Sequence, residues 1–166
     1  VGEMYGYKQA GRYEVSDFDG YDEVSRKWIL KEGVFDGSGK VVPGSVRPGD
    51  MKLVDGKKTV IGDANPLHTG GFTLNSRYKG FDLSAVFSWS YGNEIYNANK
   101  IEYTSSSKYQ YRNMSSTMAS GKRWTNLTPD GQISNDPAQL AEMNKNTTMW
   151  SPFTRTHMFT DWAVED

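Results

Sequence analysis

Gly71-Gly-Phe-Thr-Leu-Asn-Ser-Arg-Tyr-Lys-Gly-Phe-Asp-Leu-Ser-Ala-Val-Phe-Ser-Trp-Ser-Tyr91 alternates large apolar and small polar residues on both sides of Lys79-Gly80. Alternation with period two is the signature of a strand, and a two-residue connection ending in Gly is a hairpin turn. Pairing the strands across that turn sets Tyr78 opposite Phe81, Ser76 opposite Leu83, Leu74 opposite Ala85 and Phe72 opposite Phe87, with Trp89 and Tyr91 continuing the same face. The other face then holds Thr73, Asn75, Arg77, Asp82, Ser84, Val86, Ser88 and Ser90. A slip of one residue mixes the two sets, whereas this register also places Arg77 against Asp82 as a cross-strand ion pair.

The two arms, 71–80 and 81–91, match the roughly 9–11 residues that a tilted strand uses to cross a bilayer. Aromatic residues fall at both ends of the arms, Tyr78 and Phe81 by the turn and Trp89 and Tyr91 at the far end, where barrel proteins carry their interfacial girdles. The same alternation also fits a sandwich hairpin with one face on a core, and the hairpin alone does not choose between them.

The rest of the chain has a different character. Residues 1–70 read as a turn-rich loop region, punctuated by Asp19-Gly20, Asp36-Gly-Ser-Gly39, Pro43-Gly44, Pro48-Gly49 and Asp55-Gly56 between short runs such as Lys27–Lys31 and Lys40–Val42. Residues 92–166 read as a second loop region with short helices. One is expected where Tyr111, Met114 and Met118 stand at helical spacing before Gly121, and another where Asp136-Pro137 opens Ala-Gln-Leu-Ala-Glu-Met-Asn. The expected fold is therefore mainly β, with irregular loops, one or two short helices and one long antiparallel hairpin over Gly71–Tyr91. A two-residue turn on one side and long loops on the other is the asymmetry of an outer-membrane barrel.

Composition narrows the function classes. With 36% apolar residues and 17 Gly in 166, the core is thin, and 19 basic against 20 acidic residues give no electrostatic case for nucleic acid. The chain has no cysteine, which excludes disulfides and thiolate metal sites. No apolar run reaches the length of a membrane helix, so only a strand contact with the bilayer is open.

Candidate chemistry is sparse. Asp17, Asp19, Asp22 and Glu23 cluster, but a calcium loop starting at Asp17 needs an acid where Trp28 stands, so a solvated turn is the better reading. His68 and His157 lie far apart with no serine or cysteine motif beside either. No catalytic residue, metal ligand or cofactor site is expected, and the chain does not read as an enzyme.

Five blocks carry a resemblance: Val1-Gly-Glu-Met-Tyr-Gly-Tyr7, Pro48-Gly-Asp-Met-Lys52, Thr59-Val-Ile-Gly-Asp-Ala-Asn-Pro66, Tyr78-Lys-Gly-Phe-Asp-Leu83 and Tyr91-Gly-Asn-Glu-Ile-Tyr-Asn-Ala-Asn99. In order and spacing the chain resembles the C-terminal part of the SusC/RagA family of TonB-dependent outer-membrane transporters, as do Arg123-Trp-Thr-Asn126 and Thr160–Asp166. The family's acidic loop after Pro-Gly-Asp is reduced here to Asp55-Gly56 followed by two lysines, a poor set for a hard cation. The resemblance implies a fragment, since the plug, the TonB-contacting segment and most barrel strands are missing from it. It also implies an outer-membrane nutrient importer with loops on the cell surface, a SusD-like lipoprotein as lid, TonB as energy source and an oligosaccharide or peptide as substrate.

Aromatic residues on polar loops are the candidate substrate contacts, because a ring can stack on an apolar sugar face while a neighbouring Asn or Asp binds hydroxyls. Tyr21, Trp28, Tyr96, Tyr109 and Trp124 meet that description. The competing reading makes such aromatics the small cores of the loops. At the level of the whole chain the alternative is a freestanding secreted carbohydrate-binding β-domain, in which the apolar hairpin face must be covered by other parts of the chain.

Overall fold

The computed structural model describes residues 2–36, 46–106, 111–154 and 159–166. Tyr109, His157 and the run Lys40–Val42 lie outside the described residues. Among those described, the chain is mainly β, built from antiparallel pairs with two short helices and no closed barrel.

The longest element is the predicted hairpin. β7 (His68–Tyr78) and β8 (Phe81–Tyr91) pair over eleven positions in the register read from the alternation, from Tyr78 opposite Phe81 to Phe72 opposite Phe87. β7 begins three residues earlier than expected, so His68 faces Tyr91 and Gly70 faces Trp89. At the turn both Lys79 (φ 47°) and Gly80 (φ 85°) are left-handed, as a type I′ turn requires.

The remaining strands are short. β1 (Glu3–Gly6) pairs with β6 (Thr59–Asp63), β2 (Gln9–Arg12) with β5 (Met51–Leu53), β3 (Phe18–Asp22) with β4 (Lys27–Leu30), and β9 (Ile95–Tyr96) with β10 (Val164–Glu165), all antiparallel. The hairpin ladder continues upward in broken form: the Leu67 amide donates to Tyr91 O at 2.9 Å and the Glu94 amide to Asp63 O at 2.8 Å. β6 and β9 thus stand above β7 and β8, with β1 on the outer side of β6 and β10 on the outer side of β9.

The core sits in the loop region above the hairpin. Tyr13, Phe18, Trp28, Val46, Trp124 and Leu140 form one buried cluster, with Tyr21, Val15, Leu30 and Val34 packed against it. The rings follow one another as Tyr13 to Phe18 (6.1 Å), Phe18 to Trp28 (5.6 Å) and Trp28 to Tyr21 (5.6 Å). Each aromatic ring buries a large area, so the rings dominate the energetics of such a small cluster. Pro48-Gly-Asp is shaped by this core. Gly49, at φ 92°, lies so close to Trp124 that a Cβ there would come within 2.2 Å of the indole ring. Its neighbour Asp50 holds the turn by accepting from the Arg47 amide at 3.0 Å.

Helix α2 (Pro137–Asn144) forms where expected, with Asp136 as N-cap accepting from the Ala138 amide at 2.9 Å and Pro137 in the first turn. Leu140 joins the core, and the Asn144 amide clamps residue 125 by accepting from the Thr125 amide (2.8 Å) and donating to Thr125 O (2.7 Å). The helix expected around Tyr111–Met118 is absent; a single 3₁₀ turn, Ser116–Met118, stands there instead. Serine and threonine compete locally for the backbone, and here Ser115 caps the turn by accepting from the Thr117 amide. Met118 is nonetheless fully buried. The other helix is α1 (Ala98–Glu102), capped by Asn97, which accepts from the Lys100 amide at 3.0 Å.

Candidate functional site

The hairpin presents two unlike faces to its surroundings, and nothing else in the described chain covers either. On the apolar face Phe72, Leu74, Leu83, Phe87 and Trp89 are 46–59% exposed. Phe72 and Phe87 stack at 4.5 Å and Phe72 meets Trp89 at 6.5 Å. On the polar face Arg77 and Asp82 form a two-pronged ion pair, Nε to Oδ1 at 2.5 Å and Nη2 to Oδ2 at 3.0 Å. Eleven residues at about 3.3 Å each give arms of about 36 Å, long enough to cross a hydrocarbon layer of about 30 Å with tilt. A freestanding domain that needs the apolar face covered from within does not have that cover.

Above the hairpin, the loops are closed on each other by contacts between distant parts of the chain. Arg12 sits over the Trp124 ring at 5.1 Å and donates to Thr147 Oγ1 (2.7 Å) and Met149 O (2.8 Å). The segment at 159–161 crosses the end of β1, with the Tyr7 amide donating to Phe159 O at 2.8 Å and the Asp161 carboxylate accepting from the Gln9 amide at 2.9 Å. Two members of the acidic cluster, Asp17 and Asp22, are held by local contacts of the same kind. Asp17 accepts from Lys52 Nζ at 3.2 Å, and Asp22 accepts from Ser25 Oγ at 2.6 Å and the Val24 amide, which holds its carboxyl below the usual carboxylate range.

The candidate contact aromatics are placed in different settings. Trp28 and Trp124 are core residues, 5% and 4% exposed. Tyr96 stacks on Phe159 at 6.4 Å and its hydroxyl accepts from the Phe159 amide at 2.9 Å. Among the described candidates, only Tyr21 lines an open cleft of about 760 Å³, between β3 with its following turn and the segment 128–139. Its walls are polar: Glu23, Asp130, Gln132, Asn135 and Asp136 join Tyr21. Ser134 and Gln139 brace the floor through a 2.5 Å hydrogen bond, and Asp136 supplies the cap of α2 as well as a wall. A second cleft of about 660 Å³ lies beside β9, β10 and α1, lined by Tyr103, Met114, Met149 and Trp162. There Lys100 Nζ sits 4.8 Å over the Trp162 ring and pairs with Glu165 at 3.1 Å.

His68 was not among the expected contacts. The register carries it into the aromatic band at the open end of the hairpin, where it stacks on Tyr91 at 5.2 Å. Extending the pairing rule beyond Gly71 was the signal that finds it.

No family model and no solved structure matches the chain. Over 103 residues, 61% of its length, the chain is 33% identical to TonB-dependent receptor P3 of Formosa agariphila. The chain spans 9% of the length of that receptor. Together with a long, uncovered, two-faced hairpin, this similarity supports a relationship to a TonB-dependent receptor.

Proposed function

We propose that the chain is a piece of an outer-membrane, TonB-dependent nutrient importer of the SusC/RagA kind. β7 and β8 cross the bilayer with the Phe72, Leu74, Leu83 and Phe87 face toward lipid and the Arg77–Asp82 face toward the barrel interior. Residues 1–70 and 92–166 then form extracellular loops that help capture an oligosaccharide or peptide under a SusD-like lipoprotein lid. TonB acts through parts of the parent protein outside this sequence. The observation that carries this reading is the exposed, alternating hairpin, whose long arms end in aromatic bands. A two-residue turn suits the periplasmic rim, which puts the loops outside.

The chain has no cysteine, so single cysteines report topology cleanly. Val24→Cys, at a position 94% exposed in the β3–β4 turn, is expected to react in intact cells with a thiol reagent that cannot cross the outer membrane. Lys79→Cys, at the hairpin turn, is expected to react only after permeabilisation. The reverse pattern removes the assignment of the loops to substrate capture.

A further inference from the structure

The cleft walled by Tyr21 and the segment 128–139 has a chemistry of its own. Its volume, about 760 Å³, lies in the range of sites that take small ligands. Three carboxylates line it, Glu23, Asp130 and Asp136, and no lysine or arginine does. Among the described residues Glu23 and Asp130 have no ion-pair partner, in contrast to Asp17, Asp82, Glu102 and Glu165, each of which is paired. The side-chain amides of Gln132 and Asn135 are likewise not engaged within the described chain. The Tyr21 ring lines the cleft and meets Trp28 at 5.6 Å in a tilted contact, which ties it to the core.

An aromatic ring with amides beside it matches a sugar ring, whose C–H face is apolar and whose edge carries hydroxyls. The surplus negative charge adds a selection rule, since a uronate or sulfate group entering between Glu23 and Asp130 meets like charge with no cation to offset it. A protonated amine meets two open carboxylates and a nearby aromatic face. We infer that this cleft binds an oligosaccharide segment free of anionic groups, with amine-bearing sugars preferred over neutral ones. The inference rests on the proposed capture role and supplies the charge class that role leaves open.

The test uses the full chain in detergent micelles and three probes of equal length: the hexamer of glucosamine, cellohexaose and hexagalacturonate, each titrated by calorimetry. The glucosamine hexamer is expected to bind about fivefold to tenfold more tightly than cellohexaose, the sum of two exposed charge pairs, with the gap closing as salt rises. Hexagalacturonate is expected not to bind. Glu23→Gln with Asp130→Asn is expected to abolish the preference while cellohexaose binding persists, and Tyr21→Ala to weaken both sugars by about threefold to tenfold. Binding of hexagalacturonate at a strength equal to the others overturns the inference, as does a preference that survives the double substitution, or the absence of binding by all three probes. A hexalysine peptide that binds as tightly as the glucosamine hexamer overturns the sugar part of it. Inverted cysteine labelling with the charge preference intact sinks the membrane topology alone, and correct labelling without binding sinks the cleft alone.

Discussion

The Trp89 indole donates to His68 Nδ1 at 3.2 Å across the open end of the hairpin. The two residues are diagonal neighbours, since His68 faces Tyr91 and Trp89 faces Gly70. Gly70 makes the bond possible: a Cβ there would lie 2.3 Å from Trp89 Cζ2, so the indole lies across a position with no side chain. Gly70→Val is therefore expected to turn Trp89 away and break the bond. The check is the indole N–H resonance of Trp89 in the detergent-solubilised protein, which should move toward its solvent-exposed position. An unmoved resonance excludes the packing described.

At the other end of the hairpin, Gly80→Val places a β-branched residue at φ 85° and is expected to cost about 1–2 kcal/mol. Lys79→Asn, at φ 47°, suits the turn better and is expected to be neutral or slightly stabilising. Denaturant unfolding of the two variants in the same detergent tests the pair of signs.

Tyr13 links the core to alkaline stability. Burial first, and then the carboxylates of Asp36, Asp17 and Asp50, raise its phenol from 10.0 to about 12, and its hydroxyl donates to Phe35 O. The folded value lies above the unfolded one, so the contribution is fully present below pH 10 and is lost as pH rises toward 12. The loss is on the order of 2 kcal/mol. Tyr13→Phe is expected to be less stable at neutral pH through the missing hydrogen bond and to show a flatter profile over that window.

Glu165 has the opposite sign. Hydrogen bonds from Asn97 Nδ2 (2.8 Å) and then from Lys100 hold its carboxyl below the usual range. Its contribution to the β9–β10 pair is present above the ordinary carboxylate value and lost as pH falls through the lowered one. The protection of the Asn97 amide from hydrogen exchange, relative to the intrinsic rate at each pH, is expected to fall on acidification, since this amide donates to Ala163 O at 2.7 Å beside the Glu165 contacts. In Glu165→Gln that acid dependence should disappear.

Core and cleft aromatics separate by substitution. Trp28→Ala and Trp124→Ala remove buried rings and are expected to cost about 3–5 kcal/mol each. Tyr21→Ala, at the cleft wall, is expected to cost less than half as much in thermal unfolding. A Tyr21 variant as unstable as the Trp28 one would place that ring in the core as well.

What was legible in the sequence was local. The β7–β8 register follows from period two plus a two-residue turn, and α2 follows from Asp136-Pro137, because both signals lie within a few residues of what they specify. The pairings of β1 with β6 and β2 with β5 were not legible, since more than 30 residues separate partners such as Gln9 and Leu53 and no turn fixes their register. The spacing of Tyr111, Met114 and Met118 suggested a helix because burial alone was being read; the serines between them set the backbone. The site candidates divided for a related reason. Trp28 and Tyr21 are the same kind of residue on the same hairpin, and only the position of Leu140 and Trp124, more than ninety residues on, decides which ring is enclosed.

That enclosure has a consequence for assembly. The cluster that holds Tyr13 and Trp28 is completed by Trp124 and Leu140, and the Arg12 clamp reaches Thr147, 135 positions away. Contacts of such sequence separation pay a large loop-closure entropy before they are rewarded, so they form late and slowly. The hairpin, whose partners are at most 23 positions apart, zips first. During folding the two strands therefore pair while the residues on either side are still open, and the Trp28–Trp124 cluster closes as the final step.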